Sequence, residues 1–594
     1  MTKKHSILFF FTLLLLAKSL FANDVLLQIT TSETDLEIIK KLKYKKQHNS
    51  LGELQQELQK TLLRLYDIGY LTASFDSIEE TEKIVKAYLS IGDRYEWLNL
   101  SAGGIEKQLI NNVSYKEKFY TETAFSYKEV SKLCNEILNE LENNGYPFAV
   151  VRLDSIVINS GKISAELLVE KNQLYQYDTI TLNGDAKISK YYLYNYLGIK
   201  PKALYSENTV RKIDSRLKQL PFLSLKKPAE IIFTAEEAKP ILDLESRKSS
   251  QFDFLVGFLP NNDVTGKLLI TGEANVNLLN PFGFGENLRL NWRKMQPRTQ
   301  NLDAGFSFPY IISLPFGVDA GLRIYKRDTL FLDIDWDAGL SYLFVGGNYF
   351  KAFVNGRFSN IISVDTNEII VSRELPEYLD TRRTLYGIEY YFEKLDYRFN
   401  PTDGFIIKLK GAAGNRRIII NNTIAAINDP ENNGQTFASL YDSFPKRTIQ
   451  YKVDYRLEKF WKLAPRNTVK TGVTGGAIIS DEVFINEMYR VGGTKLLRGF
   501  DEESIFASMF HIASVEYRFL LQENSYFNIF GDFGYVESKT NRSFRNDFPY
   551  GFGAGLAFAT KAGIFSITYA LGAQQNTGVN FRNAKIHFGY VNLF

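Results

Sequence analysis

One short segment late in the chain carries most of the residues that could do chemistry. The stretch GGTKLLRGFDEES, residues 492–504, places Arg498 directly before a glycine and a phenylalanine, and three consecutive acids follow. A guanidinium can pair with carboxylates in a rigid, forked geometry. The run Asp501, Glu502 and Glu503 is more typical of a solvated loop than of a metal site. Taken alone, an Arg-Gly-Phe tripeptide in a loop indicates only a solvated arginine, so its meaning depends on the elements around it.

Signatures of catalysis and cofactor binding are missing from the sequence. The four histidines lie far apart along the chain, at His5, His48, His511 and His587. They therefore have no metal-ligand spacing, and no G-x-S-x-G, H-E-x-x-H or Walker motif occurs. The G-x-G pairs at residues 283 and 551 fall in predicted strands or turns, and we interpret them as packing. We expect no enzymatic activity, no metal and no cofactor.

The composition and the N-terminus indicate an exported protein. Aromatic residues make up 14% of the chain, more than a cytosolic enzyme usually carries. Residues 1–22 resemble a secretory signal peptide, with two lysines before an apolar run and Ala22 as the last residue removed. No later stretch is apolar enough to predict a membrane-spanning helix. Loss of this segment lowers the net charge from +4 to +1, which gives no electrostatic argument for nucleic-acid binding.

From about residue 251 the chain alternates apolar with small or polar residues in long segments. In YGFGAGLAFAT, residues 550–560, aromatic and aliphatic side chains alternate with glycine and alanine, which predicts a strand with one apolar face. Such segments run eleven to fourteen residues with aromatics near their ends, as tilted bilayer crossings require. The long inserts 363–381 and 415–447 are predicted extracellular loops. Sixteen strands of an antiparallel transmembrane barrel are predicted, starting near residues 252, 266, 285, 301, 314, 331, 347, 382, 404, 448, 467, 507, 524, 548, 562 and 583.

The region before residue 248 contains a repeat of about 75 residues. Three helices have apolar residues at spacings of three and four. These apolar stripes are Leu51, Leu54, Leu58, Leu62 and Leu65; Val130, Leu133, Ile137 and Leu141; and Val210, Ile213, Leu217 and Leu220. Each helix ends at a breaker, Gly69, Gly145 or Pro221, and strands follow. The order strand, helix, helix, strand, strand predicts three small α+β domains with boundaries near residues 92 and 172.

This combination resembles the BamA/TamA superfamily of outer-membrane insertases, which also includes the two-partner secretion transporters. The α+β repeats resemble POTRA domains. The family carries a V/L-R-G-F/Y motif on the long loop between strands eleven and twelve, and here the loop 481–506 carries Leu497, Arg498, Gly499 and Phe500. Three POTRA-like domains make TamA-like members the closest match. The resemblance implies a signal peptide over 1–22, POTRA-like domains over 23–92, 93–172 and 173–248, and an outer-membrane β-barrel over 249–594.

The resemblance also implies partners for Arg498. In the family the loop folds into the barrel lumen, and its arginine meets acids on the inner wall of the next two strands. Glu516 and Asp532 fit this description, because each lies opposite the aromatic face of its strand. A P-x-x-G segment at residues 401–404 either resembles a second family turn or is an ordinary turn. The final strand looks like the C-terminal signal by which outer-membrane barrels are recognised, with Phe588, Tyr590 and Phe594 on one face.

By this resemblance we expect a Gram-negative outer-membrane protein whose POTRA-like domains lie in the periplasm. They would pass unfolded outer-membrane or secreted clients to a barrel with a lateral seam. The expected partners are those clients, outer-membrane lipid, and periplasmic or inner-membrane assembly proteins, with no nucleic acid. A two-partner secretion transporter is one alternative, and a passive porin-like channel, which does not need three periplasmic modules, is another. A third is a surface adhesin or receptor that binds ligand through the loops 363–381 and 415–447.

Overall fold

A computed structural model describes the chain from residue 25 to residue 591, apart from short gaps. These gaps are residues 82–83, 260–268, 297–298, 312–313, 398–399, 432–433, 494–495, 502, 523, 541–542, 561–562, 576–577 and 582–583. The predicted signal peptide and Phe594 lie outside the described residues. None of the helices in the described part is both long and apolar enough to cross a bilayer. The chain divides into two compact units, of which the first is Met1–Gln176 with Lys202–Asn208 and Thr234–Ala238, and the second is the remainder.

The first unit contains two small sheets, each accompanied by helices. The first sheet has the order β2-β1-β4-β3 and comprises β1 (Val25–Thr30), β2 (Gln47–His48), β3 (Ser74–Glu80) and β4 (Ile84–Ser90), with helices α1 (Leu36–Leu42) and α2 (Leu51–Asp67). The second has the order β5-β7-β6 and comprises β5 (Glu96–Ser101), β6 (Val150–Asn159) and β7 (Lys162–Glu170), with helices α3 (Lys107–Asn112) and α4 (Tyr127–Asn143). Each sheet has two outer strands, and among these β3 and β6 each have one edge without a described partner strand in their sheet.

The two long helices of this unit begin at capping serines and bury their apolar stripes. Ser50 accepts a hydrogen bond from the Glu53 amide at 3.2 Å, and Ser126 accepts one from the Glu129 amide at 3.3 Å. The second stripe is buried at all four predicted positions. In the first stripe Leu51 is 47% exposed, because it is the first residue of the helix.

A third set of small elements precedes the barrel. It comprises β8 (Gln176–Tyr177), β9 (Thr181–Asn183), α5 (Lys190–Leu197), α6 (Glu207–Val210), α7 (Ile213–Gln219), β10 (Leu223–Leu225), β11 (Glu230–Phe233) and β12 (Glu237–Ser246). The single helix predicted through residues 210–220 is instead the two short helices α6 and α7. The second of them ends before Leu220, whose backbone is extended, because a residue before proline disfavours the helical region.

Helix α5 packs on turns of the barrel. The Ser189 amide donates to the Gly283 carbonyl at 2.7 Å. Gly285 has φ +78° and leaves room for the ring of Tyr192. A Cβ added at Gly285 would lie only 2.0 Å from that ring. Tyr192 also contacts Tyr310 of the next turn, with ring centroids 5.3 Å apart. The G-x-G pair at residues 283–285 is therefore a packing feature, as predicted.

The rest of the second unit is a large antiparallel sheet in sequence order. Between β23 and β26 the chain forms two short strands that pair with each other, β24 (Tyr489–Val491) and β25 (Ile505–Ala507). The sheet strands are β13 (Gln251–Leu259), β14 (Leu269–Leu279), β15 (Asn287–Gln296), β16 (Thr299–Phe308), β17 (Phe316–Arg327), β18 (Phe331–Leu343), β19 (Tyr349–Ile361), β20 (Thr381–Leu395), β21 (Gly404–Ile418), β22 (Arg447–Ala464), β23 (Asn467–Ile479), β26 (Met509–Gln522), β27 (Ser525–Lys539), β28 (Phe544–Asp547), β29 (Tyr550–Thr560), β30 (Gly563–Ala573) and β31 (Lys585–Val591).

These seventeen strands occupy sixteen successive positions in the sheet, and we call each position a crossing. Both β28 and β29 pair with β27, at different heights, so together they form one crossing. The interruption contains Pro549, which has no amide hydrogen for the strand ladder. Sixteen predicted strands are therefore confirmed, and every predicted start lies within four residues of the observed one. Within the described residues, no backbone pairing joins β31 to β13; we call this junction between the last and first strands the seam.

The two long inserts, residues 362–380 and 419–446, fold together rather than separately. They contain the helices α8 (Thr366–Ser372) and α9 (Asn422–Ala425) and a 3-10 helix, Phe437–Ser443. Arg373 of one insert donates to Asp429 of the other at 2.6 Å. Their shared hydrophobic cluster comprises Ile369, Leu375, Leu379, Ile418, Ile424, Phe437, Tyr441 and Phe484. Because Phe484 comes from the segment after β23, this cluster ties the inserts to that segment.

Candidate functional site

The segment 480–508, which we call the lumen loop, connects the eleventh and twelfth crossings, β23 and β26. Its strands β24 and β25 pair antiparallel, with Tyr489 opposite Ala507. Apolar side chains of the loop and of the inner faces of β26 and β27 form one buried cluster, which comprises Val491, Leu497, Ala507, Phe510, Ile512 and Val536. This packing holds the loop against the inner wall and fixes the position from which Arg498 extends.

Arg498 contacts two wall carboxylates at once, and we call these three residues the clasp. Its Nε and Nη2 donate to the two oxygens of Asp532 at 2.7 and 2.6 Å, and its backbone amide donates to the same carboxylate at 3.1 Å. Its Nη1 donates to Glu516. The guanidinium carbon lies 3.6 Å from the ring centroid of Phe530. The residues predicted from the resemblance are thus brought together, in the bidentate geometry that makes arginine–carboxylate pairs strong.

The carboxylates of the clasp are almost inaccessible to water. Asp532 is 1% exposed and Glu516 is 6% exposed. The second oxygen of Glu516 accepts from Arg518 Nε at 2.7 Å, and Arg518 in turn donates to Asn400 at 3.2 Å. A buried carboxylate that loses its partner is costly, because its charge remains out of water. The clasp is therefore a strong constraint on where the loop can lie, and it connects to the turn before β21.

That turn depends on a glycine. The Asp396 carboxylate accepts hydrogen bonds from the amides of Thr402 and Asp403 at 2.9 and 3.1 Å. Gly404 has φ +119°, and a Cβ at this position would lie 2.0 Å from the Lys394 carbonyl oxygen. The P-x-x-G segment is thus a turn whose glycine is required both by its backbone angle and by the close approach of the neighbouring strand.

A second contact fixes the loop to the opposite wall. Arg490 of β24 donates to Asp333 of β18 at 3.1 Å, and both side chains are nearly buried. Its guanidinium carbon also lies 3.6 Å from the ring centroid of Tyr325 on β17. Because Arg498 and Arg490 bind different sides of the wall, the loop lies across the lumen rather than along one side of it.

The acidic end of the loop contacts strands on both sides of the seam. Glu503 lies between three arginines, at 3.4 Å from Arg323, 3.7 Å from Arg490 and 3.8 Å from Arg293. Asp501 lies 2.7 Å from Lys585 of the last strand, β31. The interpretation of this acidic run as merely solvated is therefore wrong for Glu503, because inward-facing arginines of β15 and β17 surround it. Glu502 lies outside the described residues.

A third contact holds the start of the loop. Arg416 Nη1 lies 3.2 Å from Glu487, and both side chains are fully buried. The Asn486 amide group donates to Ser359 at 2.6 Å and to the Leu379 carbonyl at 2.9 Å. The lumen loop is thus bound to β19 and β21 as well as to the strands next to the seam.

Comparison with known proteins identifies the family. The model of the Omp85 superfamily domain matches residues 280–592, which is more than half of the chain. The chain belongs to the Omp85 superfamily. Among solved structures, CdiB from Escherichia coli is 14% identical, with 95% of this chain and 99% of that chain covered and a TM-score of 0.50. BamA from Haemophilus ducreyi lacking POTRA domains 1–3 is also 14% identical, with coverage of 83% and 97% and a TM-score of 0.42. No curated protein sequence matches.

Membership of the Omp85 superfamily confirms the predicted fold class and location. The antiparallel sheet is an outer-membrane barrel, and the α+β domains before it are periplasmic POTRA domains. At 14% identity the likeness to CdiB from Escherichia coli supports the fold alone.

Two glycines of this Omp85 barrel wall were missed as site residues. A Cβ on Gly551 of β29 would lie 1.8 Å from the Arg498 carbonyl oxygen, and a Cβ on Gly572 of β30 would lie 2.6 Å from the Gly499 carbonyl oxygen. Gly499 itself has φ +97°, and its own Cβ would lie 2.6 Å from the Leu571 carbonyl group. For Gly551 the sequence did contain an indication of this role, because glycines occupy one face of the segment at residues 550–560. The backbone of the loop packs against that face.

The remaining predicted site residues are only partly described. Phe588 and Tyr590 lie in β31, where their backbones pair with Ile567 and Phe565, but their side chains lie outside the described part, as does Phe594. Among the described residues, no group of three or more histidines, cysteines or acids is arranged to hold a metal ion. What the site can do chemically is to hold a loop across the lumen through buried ion pairs.

Proposed function

We propose that this Omp85 protein inserts or translocates client proteins at the outer membrane. Unfolded outer-membrane or secreted clients bind the POTRA domains in the periplasm and pass to the seam of the barrel. Client folding into the membrane supplies the free energy, so no nucleotide or redox step is needed. Three POTRA-like domains, over residues 23–92, 93–172 and 173–248, favour a TamA-like insertase over a two-partner secretion transporter, for which two such domains are typical.

The observation that carries this proposal is the unpaired junction between β31 and β13. An edge strand exposes amide hydrogens and carbonyl oxygens that can pair with an incoming strand. The described residues of β31 pair with β30 over seven positions, from Ile564 opposite Val591 to Ala570 opposite Lys585. Neighbouring crossings in the middle of the sheet pair over fifteen positions, as β20 and β21 do. A short ladder on one side, with no pairing among the described residues on the other, is what a strand needs to open and accept a client.

The lumen loop has a positioning role in this proposal. The clasp holds the loop to β26 and β27, while Asp501 contacts β31 and Glu503 contacts β15 and β17. The loop thus links the last strand to early strands from inside the barrel. We infer that release of these contacts accompanies opening of the seam and that the clasp keeps the loop in place between client cycles.

Two free strand edges in the POTRA region support client binding by strand addition. The β6 edge presents consecutive exposed apolar side chains, Ile156, Val157 and Ile158, next to a bulge at Ser155, which has φ +50°. On β3, Ile78 is likewise exposed. An extended client with alternating apolar residues would add backbone hydrogen bonds at such an edge and cover these side chains.

The contacts of the loop count against a passive channel. A porin-like function predicts an open lumen, whereas here three groups of contacts, through Arg498, Arg490 and Arg416, hold a folded segment across it. The clustered inserts above it count against loops that are free to bind a ligand as an adhesin. Neither observation distinguishes an insertase from a two-partner transporter.

Depletion of the protein followed by quantitative proteomics of outer membranes and culture medium tests the proposal. We expect several outer-membrane barrels to fall in abundance and to recover when the wild-type chain is expressed again. Loss of one secreted protein from the medium, with unchanged outer-membrane barrels, would instead identify a two-partner transporter. Unchanged levels in both fractions would refute a role in assembly or translocation.

A further inference from the structure

Three arginines face outward side by side on adjacent barrel strands. In the strand register, Arg382 of β20 lies opposite Arg417 of β21, and Arg417 lies opposite Arg447 of β22. All three are exposed, whereas the next residues along the strands, Arg383, Arg416 and Thr448, are buried toward the lumen. We call these three residues the arginine row. The row therefore lies on the lipid-facing side of the sheet.

The topology places this row at the extracellular ends of the strands. Strand β13 follows the periplasmic domains, so the eighth crossing, β20, starts on the opposite side of the membrane. The long inserts 362–380 and 419–446 join β19 to β20 and β21 to β22 at this side, while the short turn 396–403 joins β20 to β21 at the other. Each arginine of the row is the last or the second-to-last residue at this end of its strand.

Like charges in direct register are unfavourable unless an anion lies between them. Directly opposed residues in an antiparallel pair have Cβ atoms about 4.5–5.5 Å apart, and like charges at that distance destabilise the sheet. Within the described part of the chain, these guanidinium groups have no ion pair or side-chain hydrogen bond, and their only ring contact is that of Arg382 with Phe358, at 5.7 Å. No described carboxylate forms an ion pair with the row. A barrel that keeps three such arginines together needs anionic groups from outside the chain.

The depth of the row matches the level of the lipid headgroups. Below it, the outward faces of the same three strands form successive rows, which are Thr384, Asn415 and Ile449; Tyr386, Ala413 and Tyr451; Ile388, Gly411 and Val453; Tyr390, Leu409 and Tyr455; Phe392, Ile407 and Leu457; and Lys394, Phe405 and Lys459. From Arg382 to Lys394 the strand rises by about 40 Å at roughly 3.4 Å per residue. At a tilt of about 40° this spans about 30 Å, the thickness of the hydrocarbon core.

The composition of these rows agrees with that placement. The apolar rows lie between the arginine row and a basic row at the periplasmic end, and the exposed tyrosines Tyr386 and Tyr451 lie two rows below the arginines. Tyrosine is enriched at the boundary between acyl chains and headgroups. The arginines thus lie where phosphate groups of the outer leaflet are found, above a continuous apolar surface for acyl chains.

We propose that Arg382, Arg417 and Arg447 form a binding site for the phosphate groups of an outer-leaflet lipid. Guanidinium groups bind phosphate oxygens in bidentate fashion, and three in one row can bind more than one phosphate. The acyl chains of the same lipid lie over Tyr386 and the aliphatic side chains below it. The site is on the eighth to tenth crossings, half-way round the barrel from the seam. A lipid bound here anchors the wall that stays still while the seam opens.

The test uses the purified full chain in detergent, titrated with lipid A that carries two phosphate monoesters and followed by native mass spectrometry. The variant Arg382→Gln/Arg417→Gln/Arg447→Gln removes the row. The matched control, Arg289→Gln/Lys408→Gln/Lys410→Gln, removes the same charge from lumen-facing positions. Heat-modifiable gel migration establishes that each variant is a folded barrel. An arginine near an anionic surface changes affinity about fivefold, so we expect binding about a hundredfold weaker for the row variant.

The proposal predicts wild-type affinity for the lumen-facing control and weak binding of dephosphorylated lipid A by the wild-type chain. Equal affinity of the row variant and the wild type would overturn it. Equal losses in both variants would also overturn it, because net charge rather than the row would then set affinity. Displacement of lipid A by an excess of inorganic phosphate would show a soluble-anion site instead of a lipid site.

Discussion

Replacement of Arg498 by alanine should destabilise the barrel through one identifiable interaction. The change leaves Asp532, which is 1% exposed, without its bidentate partner, while Glu516 keeps its bond with Arg518. Removing one partner of a buried ion pair costs about 3–5 kcal/mol, because the remaining charge stays out of water. The lost contact with the ring of Phe530 adds to this cost. We expect a loss of about 3–5 kcal/mol in the free energy of unfolding, with most of it due to Asp532.

A double-mutant cycle separates this interaction from unrelated effects. Urea unfolding of the folded chain in lipid vesicles is measured for Arg498→Ala, Asp532→Asn and the double variant. If the two side chains interact as described, the coupling energy is about 2–3 kcal/mol. The control Arg289→Ala removes a lumen-facing pair with Asp303, at 3.6 Å with side chains 59% and 41% exposed, and should cost about 0–1 kcal/mol. Single-variant effects that add to the double-variant effect within about 0.5 kcal/mol would refute the clasp.

Three further predictions follow from the contacts of the loop and the turn. Gly551→Ala places a Cβ 1.8 Å from a loop carbonyl oxygen and should lower stability by about 1–3 kcal/mol, measured by urea unfolding, whereas Gly411→Ala meets nothing within 4 Å and should not. Asp501→Lys should increase protease cleavage of the lumen loop, and the charge-swapped pair Asp501→Lys/Lys585→Asp should restore the wild-type level; no increase in the single variant, or no restoration in the pair, would contradict the contact. Gly404→Ala should slow barrel folding, measured by heat-modifiable migration, because its φ of +119° disfavours any side chain.

The barrel could be predicted in detail because its signal is local. Most crossings alternate apolar with polar or small residues over ten or more positions, so strand number and starts follow from one strand at a time. The crossing around Pro549 differs from the prediction because it consists of two strands, β28 and β29, rather than one. The first two helices of the α+β repeat were similarly predictable from their apolar stripes, whereas the third stripe is divided between α6 and α7. Leu51 is exposed although it belongs to a predicted apolar stripe, because periodicity alone does not show which residues of the stripe are covered by other elements.

The site was only partly predictable, because most of its contacts join distant parts of the chain. Glu516 and Asp532 could be proposed for Arg498 from strand phase and from the family motif. The pair Arg490 and Asp333 is separated by 157 residues, and no local pattern connects them. The arginines around Glu503 come from strands far earlier in the chain, so the acidic run looked merely solvated. Such contacts depend on the barrel bringing remote inner faces together, which periodicity does not encode.

The central claim, that this Omp85 protein assembles other proteins at the outer membrane, is tested most directly by reconstitution. Purified full-length protein in lipid vesicles is mixed with a urea-denatured outer-membrane barrel client, and folded client is measured over time by heat-modifiable migration. The account predicts faster client folding than in protein-free vesicles, with the gain reduced in the Arg498→Ala variant. Equal rates with and without the wild-type protein, for several clients, would contradict it.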